Sequence, residues 1–186
     1  MDIEKIYGNL PTLETERLLL RKITLDDVEA MFSYASNDEV TKYVTWDTHR
    51  SLADTKQYID FVLSQYENKQ IAPWGIESKE TKEFIGTIDF VWWQPAHQKA
   101  EIGYVISDKY WGKGIATEAS KKLIQFGFEE MDLVRIQAIC FVENTASARV
   151  MEKVGMTFEG ILRKAMFVKG KHRDLKMYSI IKSDIR

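Results

Sequence analysis

The stretch Tyr104-Val105-Ile106-Ser107-Asp108-Lys109-Tyr110-Trp111-Gly112-Lys113-Gly114-Ile115-Ala116-Thr117-Glu118-Ala119 constrains the rest of the chain most. Over Ala100 to Ile106, residues Ile102, Tyr104 and Ile106 fall on one face, the period of a strand. From Ile115 onward, Ile115, Ala119, Leu123 and Phe126 keep the spacing of an amphipathic helix. Between them, Gly112 and Gly114 open backbone conformations that side chains forbid, so successive N–H groups can converge on one point. That point lies at a helix N-terminus, where unpaired N–H groups and the macrodipole favour an anion. Lys113 adds a formal positive charge. The combination predicts a cradle for a diphosphate.

Spacing separates this loop from the other glycine-rich phosphate motifs. Gly112-Lys113 is followed by Gly114, and no glycine stands five residues before Gly112, so the loop is not a P-loop. A dinucleotide fingerprint would need a third glycine at the position of Thr117.

Around this centre the elements read in order. Arg17 to Lys22 is a strand; Thr24 opens a helix to about Asn37, and Ser51 caps a second with Tyr58, Val62 and Tyr66 at four-residue spacing. Ile71 to Ser78 and Phe84 to Trp93 are strands around the polar turn Lys79 to Glu83. After the central helix, to about Met131, Ile136 to Phe141 is a strand whose place after strand and helix implies a parallel crossover. Asn144 to Ser147 caps a short helix that ends at Gly155, and Thr157–Arg163 and Asp174–Ile181 are strands around the turn Lys169-Gly170-Lys171. This order predicts an α/β (α+β) domain: one mixed sheet with helices on both faces. The expected extent is a single domain over residues 1–186, with a core of about 14–181 and an N-terminal arm at 1–13.

Composition narrows the function. The 186 residues carry a net charge of −2, which gives no global reason to bind nucleic acid or an anionic membrane. No segment approaches the roughly 20 apolar residues of a membrane span, and Met1 to Lys5 lacks the basic start of a signal peptide. The single cysteine, Cys140, excludes an internal disulfide, and no Cys/His cluster has metal-site spacing. A cytoplasmic protein without a metal, monomeric or homodimeric, is the expectation.

Trp111-Gly112-Lys113-Gly114-Ile115-Ala116 resembles the acyl-CoA pyrophosphate loop of the GNAT superfamily of N-acyltransferases, usually Gln/Arg-x-x-Gly-x-Gly/Ala. Gly114 and Ala116 match the last two defined positions; Trp111 replaces the polar first residue, as in the branch of the ribosomal-protein-alanine N-acetyltransferases. Ala100 to Tyr104, Glu143 to Met156, Phe158 to Gly160 and Asp174 to Tyr178 resemble that family's other motifs, in order. The resemblance runs from about Glu14 to Ile181. It implies a mostly antiparallel sheet whose central parallel pair splays apart to admit the pantetheine arm, with Val105 and Ile106 offering backbone groups. It implies diphosphate contacts along Trp111, Gly112, Lys113, Gly114, Ile115, Ala116 and Thr117, and pantetheine contacts at Asn144 and Ser147.

The same resemblance implies an acetyl-CoA-dependent N-acetyltransferase that acts on a primary amine by direct transfer, with the α-amine of a ribosomal protein as the leading acceptor. A polyamine, antibiotic or other small amine is the alternative acceptor, and a non-catalytic acyl-CoA-binding module the alternative class. Glu101 is the expected base and Ser147 the expected proton donor to the departing thiolate. For each there is a plainer reading: a solvated strand carboxylate or ion pair for Glu101, and helix capping for Asn144 and Ser147. His97 reads as a loop residue near the cleft mouth, a lesser candidate for the base. Tyr104, Trp92 and Trp93 read as core or groove wall, Cys140 as a small buried hydrophobe, and Lys169 to Arg173 as a solvated basic turn. Some relatives carry a Glu where Met166 stands, and a thioether cannot serve as a base.

Overall fold

The computed structural model describes residues 3–185. One eight-stranded sheet runs in the order β1-β2-β3-β4-β5-β6-β8-β7. Its strands are β1 (Leu13–Glu14), β2 (Leu18–Arg21), β3 (Trp74–Ser78), β4 (Phe84–Gln94), β5 (Lys99–Ile106), β6 (Arg135–Phe141), β7 (Thr157–Val168) and β8 (Lys171–Ile181). The helices are α1 (Ile3–Tyr7), α2 (Val28–Ala35), α3 (Asp38–Thr41), α4 (Leu52–Glu67), α5 (Ile115–Glu129) and α6 (Thr145–Lys153). Every pairing is antiparallel except β5 with β6, which are joined through α5. The expected mixed sheet, mostly antiparallel around one parallel pair, is therefore what forms.

The alternation of each central strand divides the core in two. Leu18, Leu20, Trp74, Ile76, Ile88, Phe90 and Ile102 pack with Leu123 and Phe126 of α5 and Met151 of α6. On the other face Ile23 and Phe84 pack with Met31 and Tyr34 of α2 and Ile59 and Val62 of α4. Helices cover both faces of the central strands, where only the strand ends are open, whereas the edge strand β7 is exposed along most of its length.

Several boundaries differ from expectation, each for a local reason. The helix expected to Asn37 is split: Asn37 is extended (φ −90, ψ 116) and its side chain accepts from Glu39 N–H, so it stops α2 and caps α3. The last hairpin is longer, because Lys169 and Gly170 both have positive φ (50 and 77) and close a two-residue turn between Val168 and Lys171. The register of β7 slips between Leu162 and Met166, where Lys164 is also at positive φ. The N-terminal segment shows little pattern in sequence, yet Tyr7 and Leu10 are buried in the larger core and Trp74 Nε1 donates to Pro11 O at 2.7 Å. Met1 and Asp2 of the expected arm lie outside the described residues.

An ion pair ties three strands together behind the site. Arg135 on β6 meets Glu159 on β7 at 2.6 Å, and Ser179 Oγ on β8 donates to Glu159 at 2.5 Å. Arg135 first, then Ser179, holds the Glu159 carboxyl down at about 2. A depressed carboxylate stabilises the fold above its unfolded pKa of about 4.3 and loses that contribution as pH falls towards 2. With Glu159 partly exposed, solvent screening limits the pair to about 1 kcal/mol or less. Arg135→Gln is expected to lower urea-unfolding stability by that amount at neutral pH and to have no effect near pH 2.

Candidate active site

The two parallel strands pair at Lys99–Arg135, Ala100–Ile136 and Glu101–Gln137, and nowhere further along. β5 nevertheless stays on β4 as far as Ile106–Gly86, and β6 stays on β8 as far as Phe141–Leu175. The strands therefore part just after Glu101, and Ile102 to Ile106 face a gap with no strand partner on that side. Backbone N–H and C=O groups left unpaired in a sheet interior call for water or a ligand, and an extended ligand can add itself there as a strand would.

The glycine loop closes the end of this gap. Ser107 is buried and its N–H donates to Ile85 O at 2.8 Å, which fixes where β5 ends. Gly112 and Gly114 both take left-handed conformations, φ +73 and +77, and Gly114 immediately precedes α5. Trp111 to Gly114 are exposed, and no side chain caps the first turn of α5.

The loop is braced from outside by Arg17, a residue with no motif to mark it in the sequence. Arg17 donates from one terminal nitrogen to Lys113 O at 2.9 Å and from Nε to Glu118 Oε2 at 2.6 Å. Thr15 Oγ1 and Arg17 N–H complete the shell around Glu118. Burial pushes the Glu118 carboxyl up, but the bonds from Thr15 and Arg17 outweigh it and leave the group below its ordinary value. Trp111 turns its indole back to donate to Ile106 O at 2.8 Å, so that carbonyl is already engaged. Lys113 Nζ lies 4.9 Å from the centre of the Tyr110 ring.

On the α5–α6 side of the gap, Asn144 and Ser147 do what a capping pair does and something more. Asn144 Oδ1 accepts from Ser147 N–H at 3.1 Å, and Asn144 Nδ2 donates to Ser147 Oγ at 3.1 Å. Tyr104, expected only as a wall, reaches across and donates from its hydroxyl to Ser147 Oγ at 3.1 Å. Burial raises the Tyr104 phenol to about 12, against the opposing effect of the Ser147 bond. Cys140 is buried, and burial pushes its thiol up to about 11.

The opposite face carries the carboxylates. Glu101 is buried and accepts from Gln137 Nε2 at 2.8 Å. Burial raises its pKa, while hydrogen bonds from Gln137 and Trp92 pull the other way. Asp89 on β4 pairs with Gly103 on β5, so its side chain shares this face with Glu101. Burial first, and then the charge of Glu101, lifts the Asp89 carboxyl to about 7. Nothing in the sequence around Asp89 singles it out. Its neighbourhood depends on a cross-strand register that slips between Phe90 and Trp92, and no local pattern encodes that slip.

Other expected positions fall elsewhere. His97 does not stand at the cleft mouth: it is exposed on the turn Pro95–His97 before β5, and the paired section Lys99–Glu101 separates it from the gap. Trp93 is core, whereas Trp92 lies beside Glu101 with Lys99 Nζ 5.8 Å from its ring centre. The basic turn is only partly solvated, because Lys169 Nζ donates to Thr41 O and Arg173 packs 5.1 Å from the Phe141 ring centre. Met166 is half-buried beside Phe141, Val168 and Leu175. Among the described residues no group of three or more His, Cys, Asp or Glu is arranged to hold a metal, and no helix is long and apolar enough to cross a membrane.

Comparison with known proteins agrees with this geometry. A family model for the acetyltransferase (GNAT) domain matches residues 17–157. The uncharacterised N-acetyltransferase YoaA of Bacillus subtilis is 42% identical over 172 residues, covering 92% of this chain and 97% of YoaA. A GNAT-family acetyltransferase structure from Bacillus anthracis superposes with a TM-score of 0.83 at 33% identity, covering 93% of this chain and 99% of the other. The microcin C7 self-immunity acetyltransferase MccE, solved with acetyl-CoA and AMP, gives 0.80 at 26% identity over 90% of this chain and 93% of its own. A splayed parallel pair, a glycine loop at the N-terminus of the following helix, and a family match across most of its length place this chain in the GNAT family of acetyltransferases.

Proposed function

We propose that the protein transfers an acetyl group from acetyl-CoA directly to a primary amine, the α-amine at the N-terminus of a protein of ribosomal type. The parting of β5 from β6 directly before the glycine loop carries the donor half of this reading. The residues present suit the donor. Gly112 to Thr117 offer open backbone N–H groups for a diphosphate, with Lys113 and the flanking Trp111 at the rim. On the open edge of β5 it is Tyr104 and Ile106 whose backbone groups face the gap, the Ile106 carbonyl already engaged by Trp111; Val105, expected there, instead turns its carbonyl to Gly86 of β4.

Acetyl-CoA supplies an already activated thioester, so the protein's share is alignment and proton movement. Ser147, held by Asn144 and backed by Tyr104, is placed to give a proton to the departing sulfur. The acceptor approaches from the other face, where Glu101 and Asp89 lie. An α-amine, with pKa about 7.7–8.0, is close enough to a carboxylate lifted to about 7 that the proton moves with little penalty.

The pair of carboxylates near Tyr58 of α4 also suits a small polycationic amine, and this is the second reading. Thiol release from acetyl-CoA, followed with peptides beginning in Ala or Ser, with spermidine and with an aminoglycoside, separates the two. Peptides are expected to exceed spermidine in kcat/KM by about tenfold or more, a difference of about 1.4 kcal/mol. The reverse order assigns the protein to small amines. No thiol release with any amine, while CoA still binds, leaves a non-catalytic acyl-CoA-binding module.

A further inference from the structure

We propose that Asp89 takes the proton from the acceptor amine, and that Glu101 is a positioning residue that supplies a fixed negative neighbour. The proposal rests on the acetyltransferase reading and divides the labour of its carboxylate face. Asp89 sits opposite Gly103, the strand residue just beyond the point where β5 and β6 part. Gly103 has no side chain, and a Cβ placed there would lie 3.5 Å from Asp89 Oδ1, so the carboxylate leans over the strand that borders the gap. The same Cβ would lie 2.8 Å from Val91 Cγ2, so glycine here lets both the Asp89 carboxylate and the Val91 side chain lie close over the strand.

Glu101 is less free to act. Its Oε2 is held by Gln137 at the last paired position of the parallel strands, and Trp92 stands opposite it on β4. Asp89 is influenced by burial and by the charge of Glu101, and no hydrogen bond from a described residue supports its ionised form. The titratable groups that sense its charge are Glu101 beside it on β5, Tyr58 and Tyr66 of α4 and, from the opposite face of the sheet, Tyr7; none is a cation. The cation on this face, Lys99, lies over Trp92 beside Glu101, so an incoming ammonium is the positive partner that Asp89 itself lacks.

The step balances. An acceptor ammonium gives one proton to the Asp89 carboxylate and becomes a neutral amine. Its nitrogen lone pair forms the C–N bond to the thioester carbonyl, and the C–S bond breaks with its electron pair on sulfur. The thiolate takes the proton of Ser147 Oγ, and the second proton shed by the nitrogen as the amide forms passes through water to restore the Ser147 hydroxyl. The proton on Asp89 is released to solvent before the next turnover.

The test compares wild type, Asp89→Asn and Glu101→Gln. Rates are measured across the pH range with acetyl-CoA and whichever of an Ala-initiated peptide or spermidine turns over, and CoA affinity is measured by calorimetry. Asp89→Asn is expected to lower kcat/KM by about 10²-fold or more and to erase the acidic limb, with CoA affinity intact. Glu101→Gln is expected to lower kcat/KM by a smaller factor than Asp89→Asn, to keep the acidic limb and to move it to lower pH, because loss of its charge makes Asp89 more acidic. Independently of turnover, Asp89→Asn should raise the melting temperature near pH 8, where the ionised carboxylate carries a burial cost, and not near pH 4. A wild-type rate and limb in Asp89→Asn, or an equal melting shift at both pH values, overturns the assignment to Asp89. Loss of the limb in Glu101→Gln alone hands the role to Glu101. Wild-type protein that binds CoA but releases thiol with no amine overturns the transfer reading, and this assignment with it.

Discussion

A Gly114→Val variant is expected to fold and to bind coenzyme A about 10- to 100-fold more weakly, a loss of about 1.4–2.8 kcal/mol. The cause is backbone geometry, not crowding within the protein. A Cβ at Gly114 would meet only the Arg17 guanidinium, at 3.6 Å. The residue stands at φ +77, however, a region that a β-branched side chain avoids. Valine would drive this position towards negative φ and turn the N–H groups at the start of α5 away from their common focus. Its branched side chain would also occupy the approach of the diphosphate. Arg17 resists the change by holding Lys113 O and Glu118, so the strain stays in the loop and not in the core. Calorimetric titration with CoA, beside a thermal melt to verify folding, measures the effect. Unchanged affinity in a folded variant would remove the loop from the donor site.

Trp74→Ala is expected to have the largest effect on stability, about 3–5 kcal/mol. Trp74 is fully buried on β3, with ring centres of Tyr7, Phe90 and Phe126 at 6.0, 6.4 and 5.9 Å. It thus joins the N-terminal segment, the central sheet and α5, and its indole N–H satisfies Pro11 O. Truncation leaves a cavity that three elements would have to collapse into, and an orphaned carbonyl beside it. Urea unfolding should show a lower midpoint with an unchanged slope. A loss under about 1 kcal/mol, typical of a surface substitution, would mean that the segment before β1 is not docked on the core in solution.

Features that depend on a few neighbouring residues are legible in the amino-acid order alone. The alternation of Ile102, Tyr104 and Ile106, the stripe from Ile115 to Phe126, and the caps at Ser51 and Asn144 all act within a turn or a strand. Gly155 ends its helix at φ +90 as a residue without a side chain should. Gly112 and Gly114 belong to the same class: two glycines between a strand and a helix specify a loop that only glycine builds easily, and both adopt positive φ. The ordered motifs around them, with the resemblance they carry, lead to the family and to the splayed pair.

Local sequence thus specifies the type of each element, the loop at the centre and the chemistry of its donor. Which distant side chains share a space is a property of the folded sheet. Tyr104 meets Ser147 across 43 positions, Arg17 meets Glu118 across 101, and Asp89 comes beside Glu101 only through the register of β4 on β5. His97 falls outside the cleft for the same reason, since nearness to a strand in sequence does not say which end of that strand opens. Local propensity acts over about one helical turn or one strand step. Register, by contrast, is set by the whole buried face of a sheet, and a single bulge can move a carboxylate into or out of the site.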